Sequence, residues 1–191
     1  MGQPKLLLPW QGKTLLEHTL EVWRGSGVEQ IILVIRLADA PLAEIGNRCG
    51  VQVVQPPQAP PDMKASLQYG IAAIERLFQP QAHDGWFIAP ADLPRLSPAI
   101  IERLLAAFQP SLATAYVPTV GGKRGHPLLL PWSWAPRLAQ LASSEGLNAL
   151  LKRHAVQTID CTDLPFAADM FQDIDTPEDF ERLLNVPIQQ A

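Results

Sequence analysis

A three-layer α/β fold with a mostly parallel sheet is what this sequence predicts, and three observations carry the prediction. Short apolar runs of strand length alternate along the chain with longer stretches of helical pattern. Several of the helical stretches open on a capping signature, a Ser or Thr followed by Pro or an acid in the first turn. The connections are dense in proline, 19 among 191 residues, so loops are expected to be many and ordered. Alternating strands and helices bury a sheet between helical layers.

In order along the chain, the first helix is expected from Thr14 to Arg24, closed by Gly25 and Gly27. Thr14 can cap it while Glu17 reaches back, which is a capping box. Gln30–Arg36 is a continuous apolar run and reads as a strand buried on both faces. A helix around Leu42–Arg48 leads to a short strand at Val51–Val54. The proline-rich loop Gln55–Pro61 hands over to a helix from Met63 to Phe78. Trp86–Ala89 reads as another buried strand, and Ser97 with Pro98 opens a helix that runs to about Phe108. Ala113–Val117 and His126–Leu130 read as strands around a hairpin-like flap at Gly121–Gly125. Helices near Trp134–Leu141 and Gly146–His154 and a strand at Val156–Asp160 follow. The last helix starts at Thr176-Pro177-Glu178-Asp179 and runs through Leu184. The whole chain, 1–191, is expected to be a single domain.

A formal net charge of −4 argues against a general nucleic-acid binder or an anionic-membrane binder, though not against a local basic pocket. No apolar run is long enough to span a bilayer. Cys49 and Cys161 are far apart and form no metal-type cluster, so two reduced buried thiols in a cytoplasmic protein are expected.

Ligands of such sheets lie beyond the carboxyl ends of the strands, and the candidate chemistry collects there. The opening loop, with Gly2, Pro4, Lys5, Pro9 and Gly12, runs into the Thr14 helix, an arrangement suited to anion binding. Lys5 alone reads as a solvated surface charge; its place before a capped helix points to phosphate. Asp92 follows the strand Trp86–Ala89 and so overlooks the ligand crevice. Asp173 and Asp175 lie just before the last helix, two apart and able to share one face. Each reads alone as a turn or cap residue, but together they suit Mg2+, which takes one or two protein oxygens and fills the rest with water and phosphate. Ser66 sits at a helix start, free to meet a ligand or to satisfy local backbone. Arg124 is at the rim of the flap, solvated or able to grip phosphate in a bidentate way. No credible Ser, Cys or His nucleophile is evident.

These segments, in this order, resemble the molybdenum cofactor nucleotidyltransferase family, most closely its cytidylyltransferase branch. The matching text is Met1-Gly-x-Pro4-Lys5-Leu-Leu-Leu-Pro9, Met63-x-x-Ser66-Leu67-x-x-Gly70, Asp92-x-Pro94, Arg124-Gly-His-Pro127 and Asp173-Ile-Asp-Thr-Pro-Glu-Asp179. The resemblance implies a Rossmann-like nucleotidyltransferase fold, with transfer of a nucleotidyl group, CMP from CTP, to the phosphate of molybdenum-molybdopterin and release of pyrophosphate. It implies that Asp92, Asp173 and Asp175 hold Mg2+. It gives Lys5 the triphosphate and the charge developing at the α-phosphate. Gly2, Pro4, Met63 and Ser66 would shape the nucleotide site, Arg124 and His126 would line the acceptor side, and a molybdoenzyme or its maturation factor is an implied protein partner.

The chain departs from the family pattern in places. Asp62 stands where a glycine usually precedes Met63, Ala91 where glycine is common and Leu93 where glutamine is common. The family pattern begins upstream, with a strand and a Leu-Ala-Ala-Gly-x-Ser-x-Arg loop, so the first strand and Gly-rich loop are expected to be missing from this N-terminus. A GTP- or sugar-phosphate-using transferase of the same fold is the near alternative. A catalytically inert cofactor-binding or delivery protein is the alternative of a different class.

Overall fold

The computed structural model describes residues 4–142, 145–165, 167–172 and 176–184. After a 3-10 turn at Lys5–Leu7, β1 (Pro9–Trp10) and β2 (Lys13–Thr14) form a short antiparallel hairpin. Its turn holds Gln11 at φ 52° and Gly12 at φ 83°, the left-handed pair that a two-residue hairpin needs. The helix α1 (Leu15–Arg24) then starts as predicted. The Thr14 hydroxyl accepts from the Glu17 N–H at 3.2 Å, and the Glu17 carboxylate accepts from the Thr14 N–H at 2.9 Å. The Thr14 backbone bond, the Arg48 guanidinium and the Thr14 hydroxyl together hold the Glu17 carboxyl down at about 2.

Next come β3 (Ile32–Val34), α2 (Ala40–Arg48) and β4 (Gln52–Val54), a right-sized βαβ unit whose strands pair in parallel from Ile32↔Gln52 to Val34↔Val54. The predicted strand Gln30–Arg36 is therefore shorter, and it is not buried on both faces. Leu33 is buried while Ile32 and Val34 are partly exposed, and among the described residues β3 pairs with β4 alone. The long helix α3 (Met63–Phe78) follows the proline-rich loop as predicted.

The second sheet is built from β5 (Gly85–Ile88), β6 (Ala115–Val120), β7 (Lys123–Arg124), β8 (Leu128–Pro131) and β9 (Val156–Asp160). Strand β8 lies between β5 and β6, antiparallel to both, and β9 pairs β6 in parallel. Three of these strands, β5, β6 and β9, thus run the same way. With the β3–β4 pair they make the mostly parallel arrangement expected. Within β5 only Ile88 is fully buried.

Helices cover both faces of this sheet because β8 alternates. Leu128 and Leu130 point into a cluster with Ile71 of α3, Leu138 of α5 (Ala135–Ala139) and Leu150 of α6 (Leu147–Arg153). Leu129 points the other way, onto Ile100, Ile101 and Leu104 of α4 (Pro98–Ala107). Three layers result, as predicted. One cap differs: Ser97 makes no capping bond at α4, and its Oγ is buried without a hydrogen-bond partner, so Pro98 alone marks that start. Among the described residues no helix is long and apolar enough to cross a membrane.

The last helix, α7 (Pro177–Leu184), also opens on a reciprocal cap. Asp179 N–H donates to the Thr176 hydroxyl at 3.1 Å, and the Asp179 carboxylate accepts from the Thr176 N–H at 3.0 Å. Its apolar face, Phe180 and Leu183, packs on Trp10 and Leu15.

His18 of α1 lies beside Trp10 of the hairpin, the two rings tilted by 55° with centroids 6.2 Å apart. Burial lowers its pKa from 6.5, opposed by a hydrogen bond to the Pro94 backbone. A base whose folded pKa is depressed resists protonation in the native state. Its contribution to stability is therefore complete above about 6.5 and falls as pH drops from there through the folded value. Melting temperatures taken from pH 7.5 to 5 should fall, and His18→Gln should flatten that slope. The Glu17 contribution is lost in a lower window, from 4.5 toward 2, so the two are separable.

Candidate active site

Pro4 and Lys5 are set by the 3-10 turn, in which the Leu7 and Leu8 N–H groups donate to the Pro4 and Lys5 carbonyls at 3.0 Å. Leu6 and Leu7 pack into the core beneath, which leaves the Lys5 ammonium facing out. Asp92 stands on the loop after β5, held between the half-buried Ala91 and the fully buried Leu93. Lys5 Nζ and Asp92 Oδ2 are 3.8 Å apart. The fold thus brings together two residues distant in sequence that were singled out for phosphate and metal.

Next to this pair is a cavity of about 430 Å3, lined by Pro4, Lys5 and Leu6, by residues 34–36 at the carboxyl end of β3, by Asp39 and Leu42 of the α2 start, and by Pro60, Asp62 and Ser66 before and within α3. Its size suits a small-molecule ligand. Pro4, Lys5 and Ser66 are on its wall; Asp92, Met63, Arg124 and His126 are not among the lining residues. Met63 is 60% exposed at the first turn of α3.

At the α1 N-terminus the Thr14 N–H donates to the Glu17 carboxylate, the Glu17 N–H to the Thr14 hydroxyl and the Leu15 N–H to the Leu8 carbonyl, so these three donors are already engaged. The α3 start is capped too. Asp62 Oδ1 accepts from the Ala65 N–H at 2.7 Å, and the Ser66 hydroxyl donates to the Asp62 carbonyl at 3.3 Å. Positive charge at the cavity comes instead from side chains, Lys5 and Arg36. Arg36 is gripped by Asp39 through Nε–Oδ2 at 2.9 Å and Nη2–Oδ1 at 3.2 Å. That bond raises its already high pKa. Asp39 occupies the N-cap position of α2 yet makes no capping bond, because both its oxygens hold Arg36.

The flap is the β6–β7 hairpin, turned through Gly121 and Gly122 at φ 54° and 78°. Arg124 on β7 is exposed and His126 is half-buried beyond it. Between them Gly125 is covered by the Phe171 ring, whose nearest carbon would lie 2.1 Å from an added Cβ. Gly125→Ala should therefore push the ring aside and lower stability by about 1–3 kcal/mol, read from chemical denaturation.

Gly2, Asp173 and Asp175 lie outside the described residues. Among the described residues no three His, Cys, Asp or Glu side chains converge on one point.

Residues 1–158 match the MobA-like NTP transferase domain family. The chain belongs to that family. It is 28% identical over 97% of its length to a molybdenum cofactor guanylyltransferase of Xanthomonas euvesicatoria, covering 88% of that protein. It is 26% identical over 95% of its length to the nicotine blue oxidoreductase of Paenarthrobacter nicotinovorans, again covering 88%. Among solved structures it is similar to Rv0371c of Mycobacterium tuberculosis H37Rv in complex with manganese, with 27% identity, a TM-score of 0.75, and 96% and 92% of the two chains covered.

For this transferase domain, Arg36 and Asp39 are the cavity residues that sequence reasoning passed over. A signal existed: Arg36 ends the β3 run, at the strand end where ligands of such sheets bind.

Proposed function

We propose that the chain transfers a cytidylyl group from CTP to the phosphate of a molybdopterin-type acceptor and releases pyrophosphate. The observation that carries this reading is the Lys5–Asp92 pair, 3.8 Å apart, with Lys5 on the wall of the cavity. A cation and a carboxylate at that spacing can divide a metal-bound triphosphate between them. An oxygen of the acceptor phosphate bonds to the α-phosphorus, the bond from that phosphorus to the bridging oxygen breaks, and pyrophosphate leaves with the electron pair. Such a transfer asks for alignment and charge stabilisation, so the absence of an evident side-chain nucleophile is no obstacle.

The carboxylate oxygens of Asp92, with those of Asp173 and Asp175, fit Mg2+: hard donors, few in number, with Asp92 part-exposed so that water and phosphate can complete the shell. Bound there, Mg2+ would neutralise phosphate charge and polarise the α-phosphate. Lys5 donates to phosphate oxygens as negative charge builds. Pro4 and Ser66, with Gly2 and Met63, shape the nucleotide site, and Arg124 and His126 serve the acceptor beyond the cavity wall. Cys49 and Cys161 are buried, and burial raises both thiols, which suits inert residues of a cytoplasmic enzyme.

The test is pyrophosphate release with molybdenum-molybdopterin, comparing CTP with GTP at equal concentration. Release from CTP at ten or more times the GTP rate is the expected outcome. The reverse preference would shift the donor to GTP, a reading favoured by the 28% identity to a guanylyltransferase. Acceptor binding with neither nucleotide consumed would replace the enzyme with a binding or delivery protein.

A further inference from the structure

Arg36 lies two residues past β3, on the wall of the cavity, and the transfer proposed above gives it no part. Its guanidinium is set by two bonds on one edge: Nε donates to Asp39 Oδ2 at 2.9 Å and Nη2 to Asp39 Oδ1 at 3.2 Å. The backbone beneath is tied to the end of β4, where Gln55 Nε2 donates to the Arg36 and Leu37 carbonyls at 3.4 and 3.3 Å. Among the described residues Asp39 alone bonds the guanidinium. Its outer edge, Nη1 with the second N–H of Nη2, is therefore a planar fork of two parallel donors.

Stability does not account for this pair. Asp39 stands at the N-cap of α2 and makes no capping bond, although a cap contributes more to stability than an exposed ion pair does. The Arg36 side chain is 65% exposed. What the pair gains is a guanidinium held rigid and locally neutral. A phosphate drawn to Arg36 would meet the Asp39 carboxylate close behind it, so the fork is a poor anion anchor. Lys5 differs. At 3.8 Å it is beyond hydrogen-bond reach of Asp92, and a bound metal would take up that carboxylate's charge. A rigid, charge-compensated fork suits a neutral planar edge with two adjacent acceptors. Much of the remaining wall is apolar, from Leu6, Val34, Ile35, Leu42 and Pro60, a lining on which the faces of a heterocycle can lie.

We propose that Arg36 reads the nucleobase of the bound triphosphate and favours bases that present two adjacent acceptors. The inference rests on the reading of the cavity as a nucleotide site. Cytosine meets the fork with O2 and N3, and guanine with O6 and N7, a common partner of arginine. Uracil carries a proton on N3 between its two carbonyls, so one N–H of the fork would face a donor. Adenine sets its amino group beside both N1 and N7, and its N3 stands alone. The fork thus selects cytosine and guanine over uracil and adenine. Asp39 is the positioning residue that keeps its plane.

The experiment is calorimetric binding of CTP, GTP, UTP and ATP to the full chain in Mg2+ buffer. In the parent, CTP is expected to bind about tenfold or more tightly than UTP, as a bidentate pair allows. Because its side chain is exposed, Arg36→Met should fold, and in it the ratio of CTP to UTP affinity should collapse toward one. Arg36→Lys, with a point charge in place of a fork, should keep only part of the preference. Asp39→Ala releases the guanidinium: the preference should fall, while inorganic tripolyphosphate, which has no base, should bind more tightly. Equal weakening of CTP and UTP in Arg36→Met, with their ratio retained, would make Arg36 a phosphate contact and overturn the proposal. A parent that does not distinguish CTP from UTP would overturn it equally. GTP bound more tightly than CTP, with both above UTP and ATP, moves the donor of the proposed transfer and supports the role of Arg36. Binding of none of the four removes the nucleotide reading itself, and this inference with it.

Discussion

Asp92→Asn is expected to lower kcat/KM for pyrophosphate release by about a thousandfold or more, roughly 4 kcal/mol of transition-state stabilisation. The substitution keeps the shape of the side chain and removes its charge. Because Leu93 and Leu96 are almost wholly buried beside it, the loop should keep its place. A change within about twofold of the parent rate would remove Asp92 from the site. Mn2+ affinity should fall in the same variant, and melting temperature should change little, since the one ion pair lost is part-exposed and such pairs contribute little to stability.

Lys5→Met should act differently. Losing a donor aimed at developing negative charge costs about a hundredfold to a thousandfold in kcat. Metal binding should be maintained or tightened, because a competing cation 3.8 Å from Asp92 has gone. A fall in kcat with retained Mn2+ affinity is the signature of Lys5 acting on phosphate. Joint loss of both would mean that Lys5 merely supports the Asp92 loop. Chelation with EDTA should abolish turnover of the parent chain and be reversed by added Mg2+.

The elements legible from sequence were those governed by residues close in the chain. The Thr14–Glu17 and Thr176–Asp179 caps are local hydrogen bonds, and both helices begin where those residues stand. Strand β9 and helix α3 occupy the spans their patterns predicted. The failures were of another kind. Ser97 has the right residue type for a cap, but its hydroxyl is turned into the interior without a partner. The apolar run Gln30–Arg36 met the composition of a doubly buried strand, yet burial of Ile32 and Val34 depends on what covers them, and both are partly exposed.

The candidate site divides along the same line. Lys5, Asp92 and Ser66 could be named from their places at strand and helix ends, because the α/β alternation says where ligands go. Their pairing could not. The 3.8 Å approach of Lys5 to Asp92, the Arg36–Asp39 grip on the cavity wall and the closeness of Arg95 to both Trp10 and Leu183 are set by packing between segments far apart in the chain.

By itself, then, the sequence determined the class of fold and the family, since capping, periodicity and motif spacing are short-range properties of the chain. Only the tertiary structure decided that the Lys5 and Arg36 side chains meet at one cavity and that the buried Arg95 guanidinium, three residues past Asp92, reaches the Leu183 carbonyl of the last helix. Each of those outcomes joins segments far apart in the chain, and it is settled only when the distant partner arrives.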